Sequence, residues 1–172
     1  MSWCSAARRA FIVTLLLLPL AACGFHPLYG DQPAFSYDPN LAAIKVTPIP
    51  DHIGQIVETS LREQLNPRGA DVKTRYLLKV VLSVGRADLG IERNATSLRS
   101  RITLSASYSL SATGAAHPLH EGKSAAITSF NFTNDAYAAT VAEESARRQA
   151  AEDVSRDIAV QVALWLRGQH PG

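Results

Sequence analysis

The chain has 172 residues, with 17 Lys and Arg against 15 Asp and Glu, and 47% of its residues are hydrophobic. So even a charge balance provides no bulk field for capturing nucleic acid, and two cysteines are too few for a disulfide scaffold or a thiolate zinc site. The length suits one domain with a modest core.

The first element is the apolar run Ala10 to Ala22, which follows Arg8 and Arg9 and contains Pro19. It is shorter than the roughly 20 residues a transmembrane helix needs. A basic start, an apolar middle and small residues at its end describe a secretory signal over residues 1–22. Leu20-Ala21-Ala22-Cys23 resembles the lipobox of bacterial lipoproteins. That resemblance implies cleavage before Cys23, diacylglycerol on its sulfur and an acyl chain such as palmitate on its new amine. Several acyl chains hold a soluble domain firmly on a bilayer, each buried methylene adding about 0.8 kcal/mol. Gly24, after the cysteine, resembles the class sorted to the outer membrane.

Cleavage removes Cys4, Arg8 and Arg9, leaving Cys23 as the one mature cysteine and fifteen charges of each sign. Their distribution is uneven. Residues 23–61 hold one basic and four acidic side chains, residues 62–101 nine and four, and residues 102–172 five and seven. The positive excess therefore lies in one internal stretch.

Residues 23–42 read as an extended tether, because Pro27, Pro33 and Pro39 interrupt every period. It would reach roughly 60 Å, although Phe25, Tyr29, Phe35 and Tyr37 suit partial docking. A short strand, Ile44 to Thr47, stops at Pro48. Asp51 offers a helix N-cap, and Ile53, Ile56, Val57, Leu61 and Leu65 recur at helical steps. Asn66-Pro67 ends that helix, since a residue before proline resists the helical region.

Tyr76, Leu78, Val80, Leu82 and Val84 then alternate with the intervening residues, the period of a strand over residues 75–87. A polar connection from Asp88 to Leu98 leads to a second alternating strand. Its apolar set is Ile102, Leu104, Ala106, Tyr108 and Leu110; Arg101, Thr103, Ser105, Ser107 and Ser109 form the opposite, hydroxyl-rich face. Ala112-Thr113-Gly114 forms a turn, and a third long strand runs from His120 to Phe132. The meander is followed by a helix from Tyr137 to Leu166, capped by Asn134 or Asp135. Its apolar stripe is Ala151, Val154, Ile158, Val162 and Trp165.

The expected order is β-α-β-β-β-α: an α+β two-layer sandwich with two helices packed on one face of a mixed four-stranded sheet. The expected domain spans residues 43–166, and residues 167–172 form a frayed tail.

No G-x-S-x-G, P-loop or G-x-G-x-x-G occurs, so no motif assigns a catalytic residue or a cofactor. Glu143-Glu144 and Glu152-Asp153 sit among Arg147, Arg148 and Arg156 at spacings that suit a solvated helix face. His117-Pro-Leu-His120 lacks the helical spacing and the further ligands of a metal site. The basic excess is more informative. Arg86, Arg93, Arg99 and Arg101 lie in or beside one inter-strand connection. Guanidinium groups grip phosphate through paired hydrogen bonds, and the same residues equally suit the solubility of a sheet edge.

Cys23 to Tyr29 (Cys-Gly-Phe-His-Pro-Leu-Tyr), Ser129-Phe130-Asn131 and Tyr137-Ala138, with the element order, resemble the lipopolysaccharide-assembly lipoprotein family LptE in its alphaproteobacterial form. The resemblance spans nearly the whole mature chain. It implies a non-catalytic outer-membrane lipoprotein that plugs and helps assemble the β-barrel LPS translocon, an LptD-like partner. It also implies contact with lipopolysaccharide during delivery to the cell surface. Arg93-Asn94 matches the family's Arg-Asn pair at a lipopolysaccharide contact; a second family contact, a lysine, falls near the uncharged Thr140, with Arg147 and Arg148 two turns later. A lipid-binding auxiliary lipoprotein of an ABC-type envelope transporter is the alternative reading, and a tethered hydrolase a third.

Overall fold

The computed structural model describes residues 39–89, 98–132 and 135–169. The signal at 1–22, Cys23, the tether as far as residue 38, Arg93 and the last three residues lie outside the described residues.

The first described element lies within the stretch expected to be tether. Helix α1, Pro39–Ala42, occupies the last four positions assigned to the tether. Proline suits a helix start because its missing N–H has no partner to lose, and the turn tucks Leu41, Ala42 and Ala43 into the core. Residues 39–42, placed in the tether by its prolines, thus pack with the domain. Strand β1, Ile44–Val46, follows.

Helix α2, His52–Leu65, buries Val57, Leu61 and Leu65 as its spacing predicts. Asp51 occupies the cap position, but its side chain makes no capping hydrogen bond. The reason is local: Asp51 stands at φ 71° and ψ 162° instead of the β-region backbone that aims a cap oxygen at the helix amides. Its carbonyl still accepts from the Gln55 amide at 3.0 Å.

Strands β2 (Tyr76–Leu89), β3 (Leu98–Ala112) and β4 (Pro118–Phe132) are long. The sheet order is β1-β2-β3-β4, with β1 parallel to β2 and the rest antiparallel. The parallel pair demands a crossover, which α2 supplies. The β3–β4 turn places Gly114 at φ 85°, a conformation that favours glycine. β4 begins at Pro118, two residues before the expected start.

Helix α3, Ala136–Gln169, extends three residues past the expected Leu166, so part of the predicted tail is helical. Asp135 caps it, its Oδ1 accepting from the Tyr137 and Ala138 amides at 2.9 and 3.2 Å. Both α2 and α3 cover one sheet face, and their apolar stripes meet Leu78, Val80, Leu104, Ala106, Tyr108 and Leu110 in one core. Small residues explain how close the helices come. Ser155 is fully buried, and its hydroxyl donates to its own helix at Ala151 O, 2.6 Å, and lies 3.4 Å from the α2 carbonyl of Val57. Ala150, Ala151 and Ala159 line the same contact. The Ala-rich composition of α3 is thus a packing requirement as well as a helix propensity.

Candidate functional site

With both long helices on one face, the opposite face of the sheet is left open by the described residues. Its composition follows from strand alternation: residues opposite the core point outward. Across the register, Ser83, Ser105 and Ala125 form one outward row, and Val81, Ser107 and Lys123 the next. Small side chains leave a shallow hollow of about 460 Å³ here, lined by Val81, Ser83, Ser105, Ser107, Lys123 and Ala125 among others. Val81 is 57% exposed and Ile127, two rows away, 64%.

Alternation also sorts the charges. Lys45 lies between the buried Ile44 and Val46, and Lys79 between the buried Leu78 and Val80, so both point outward. Arg99, Arg101 and Lys123 belong to the same outward set. Against these five cations stands one acid, Glu121, among the described strand residues of that face. A chain with a formal net charge of only +2 therefore presents one strongly cationic, hydroxyl-lined surface.

Arg99 and Arg101 occupy one end of this surface, two residues apart on β3 and so roughly 7 Å from each other. Arg101 faces Ala87 and Ser129 across the strands, and Arg99 faces Asn131. Both are exposed. Neither forms an ion pair among the described residues.

Arg86 does not join them. It lies opposite the buried Ile102 and therefore on the helix side of the sheet. Its Nη1 donates to Glu143 Oε2 of α3 at 2.7 Å and its Nε to Asp88 Oδ1 at 3.2 Å. Its guanidinium carbon sits 5.9 Å from the Phe130 ring centroid. Asp88 also accepts from the buried Ser100 hydroxyl, and that hydrogen bond, followed by the one from Arg86, holds its carboxyl below the usual carboxylate range. The four arginines expected to cluster are thus divided between two faces, with Arg93 outside the described residues. The parity of position 86, shared with Leu82 and Val84, carries this signal in the sequence.

Several of the candidate catalytic and metal-binding side chains make contacts within the fold. Glu143 is held by Arg86 and by Arg147, whose Nη2 donates to Glu143 Oε1 at 2.6 Å, and Asp153 pairs with Arg156 at 2.9 Å. Thr140 hydrogen-bonds its own helix at Ala136 O, 2.9 Å. His120 lies in β4: its ring stacks on Trp165 with centroids 5.4 Å apart, and Nε2 is 3.2 Å from the Tyr108 hydroxyl. That hydroxyl donates to Gln161 Oε1 at 2.8 Å, and burial, then the nearby Asp157, raises its pKa. His117 remains exposed in the turn. Among the described residues no three His, Cys, Asp or Glu side chains are grouped to hold a metal ion, and no helix is long and apolar enough to cross a membrane.

Fold and surface together define an α+β domain whose sheet is covered by helices on one side and offers a cationic, hydroxyl-rich face on the other. The model of the lipopolysaccharide-assembly family LptE matches residues 41–163. The chain belongs to that family, and hence to lipopolysaccharide assembly in the cell envelope. Among solved structures, it is similar to a candidate lipoprotein from Caulobacter crescentus CB15, with 22% identity, a TM-score of 0.61, and coverage of 77% of this chain and 96% of that one. It is also similar to a minor lipoprotein from Acinetobacter baumannii, with 16% identity, a TM-score of 0.55, and coverage of 70% and 88%. At these identities the two structures support the fold. No curated protein matches the chain by sequence.

Proposed function

We propose that the mature chain is an outer-membrane lipoprotein anchored through acyl chains on Cys23. It lodges in the lumen of the β-barrel LPS translocon, helps that barrel assemble and contacts lipopolysaccharide through its open sheet face. The observation that carries this reading is the charge sorting: five cations against one acid on a face lined by Ser and Thr. Lipid A presents phosphates, and exposed arginines form paired, charge-assisted hydrogen bonds with them. A barrel interior is polar, which suits a plug with a hydroxyl-rich face and ion-paired helices.

Arg99 and Arg101 are the phosphate contacts in this reading. Arg93, in the sequence between Leu89 and Leu98, is proposed as a further contact on the strength of its Arg-Asn pair. Arg86, held by Glu143 and Asp88, supports the packing of α3 on the sheet and does not touch the ligand.

Purified lipopolysaccharide binding to the full chain and to an Arg99→Ala/Arg101→Ala variant tests the assignment. A charge-assisted hydrogen bond contributes about 1.5–3 kcal/mol, so the double variant binds roughly tenfold or more weakly. Arg93→Ala weakens binding in the same direction. Unchanged affinity in the double variant, with its fold intact by circular dichroism, overturns the assignment of the open face.

A further inference from the structure

The sheet has an unusual second edge. β1 covers only Tyr76 to Leu78 of β2, while β3 pairs with β2 along its whole length. The chain leaves the edge after Thr47, whose amide donates to Leu78 O at 2.9 Å, because Pro48 has no N–H with which to continue. Among the described residues no backbone group pairs with β2 beyond Leu78 on that side.

Strand geometry fixes which groups are left open. The Leu78 carbonyl points towards β1, so by alternation the N–H and C=O of Val80, Leu82, Val84 and Arg86 point the same way. From Lys79 to Arg86 the sequence is KVVLSVGR, with no charge between its ends. Proteins blunt such edges with charges, prolines or bulges, and this stretch has none of them internally. Val81 is 57% and Val84 42% exposed. Beside the edge, on the helix side, lies a hollow of about 470 Å³ lined in part by Pro50, Ile53, Ile56, Leu82 and Val84.

We propose that this edge pairs antiparallel with the same edge of a second copy of the chain, about a two-fold axis at Leu82. The pattern is its own complement. In that register Val80 lies opposite the second copy's Val84, Leu82 opposite Leu82, Val81 opposite Ser83 and Lys79 opposite Gly85. The open N–H and C=O groups at positions 80, 82 and 84 then form three hydrogen-bonded pairs. Like charges do not meet.

Neighbouring registers fail for stated reasons. An axis at Val84 sets Arg86 against Leu82 and Asp88 against Val80, whereas the axis at Leu82 leaves only Arg86 against an apolar residue, Leu78, beyond the end of the strip; an axis at Val80 sets Leu82 against Leu78, whose carbonyl Thr47 already occupies. The hollow beside Leu82 and Val84, lined by Ile53 and Ile56 and also by Asp51, His52, Glu144 and Arg147, borders the seam. Seven residues make a strip about 24 Å long and roughly 10 Å thick, well short of the ~800 Å² per partner of a stable interface. The dimer is therefore reversible and concentration-dependent. It belongs to the chain without its envelope partners and does not depend on the function proposed above.

The test uses the full chain expressed alone and held in detergent. Sedimentation across a hundredfold dilution is expected to show a monomer–dimer equilibrium. Leu82→Cys is expected to give a disulfide-linked dimer on mild oxidation, beyond whatever the parent cysteines give; Ser83→Cys is not. Val84→Pro deletes an N–H that has no partner among the described residues, and is expected to give monomer only. Should that variant unfold, Val84→Lys replaces it, an exposed change expected to weaken the dimer about tenfold or more. A parent chain that is monomeric throughout, a dimer that survives Val84→Lys, or equal cross-linking at 82 and 83 overturns the proposal.

Discussion

Gly122→Ala tests the packing beneath the open face with a single methyl group. Gly122 lies opposite Tyr108 on the helix side of the sheet, and the tyrosine ring folds over it. A Cβ at position 122 would sit 2.5 Å from Tyr108 Oη, 2.6 Å from Cζ and 2.7 Å from Cε1. Carbon atoms settle at about 3.5–4.0 Å, so the ring has to move by about 1 Å. Only 3% of Tyr108 is exposed, and its hydroxyl is engaged by Gln161 and His120, so free space is scarce. Overpacking of this kind costs about 1–3 kcal/mol, and weakening the hydroxyl's hydrogen bonds adds about 1 kcal/mol. Restricting the unfolded backbone returns about 0.4–1 kcal/mol. The net expectation is a loss of about 1–3 kcal/mol, read from urea unfolding followed by circular dichroism. In a Tyr108→Ala background the same substitution meets no ring, and the penalty is expected to vanish, a coupling of about 1 kcal/mol or more. A Gly122→Ala protein within about 0.5 kcal/mol of the parent would refute the reasoning.

Three further substitutions probe separate parts of the account. Ser124 is buried on the same side, with a hydroxyl that has no hydrogen-bond partner among the described residues; Ser124→Ala is expected to stabilise the chain by about 1 kcal/mol in urea unfolding. Asp88 has a depressed carboxyl pKa, so its stabilising contribution is present above the unfolded value of about 3.9 and is lost as pH falls through the folded value. Asp88→Asn is therefore expected to lower the urea midpoint at pH 7, with the difference from the parent shrinking towards pH 3. Arg86→Ala removes the guanidinium beside the Phe130 ring and leaves Glu143 with one partner fewer. It is expected to lower the melting temperature while lipopolysaccharide affinity stays at the parent level, the reverse of Arg99→Ala/Arg101→Ala.

Much of this arrangement is legible in the sequence because strand and helix periods are strong signals. The run from Ile102 to Leu110 alternates without a fault, and every residue assigned inward is buried. The stripe Ala151, Val154, Ile158, Val162 is buried on α3 as its spacing requires. Local backbone geometry is less legible. Asp51 has the right identity for a cap and the wrong φ, and one turn of helix at Pro39–Ala42 is too short to show a period. The site was partly legible. Proximity in sequence groups Arg86 with Arg99 and Arg101, whereas parity separates them, and side-chain direction follows parity. Lys45, Lys79 and Lys123 join the open face only once the register joins β1, β2, β3 and β4 into one sheet. That register is a tertiary fact, set by the β3–β4 turn and by an irregularity between Leu110 and Ser111.

Affinity purification of the full chain from gently solubilised outer membranes, with identification of what comes with it, bears most directly on the central reading. A large β-barrel in stoichiometric amount, reduced in the membrane when this chain is depleted, is the expected result. Recovery of the chain free of any barrel, with barrel levels normal after depletion, would contradict it.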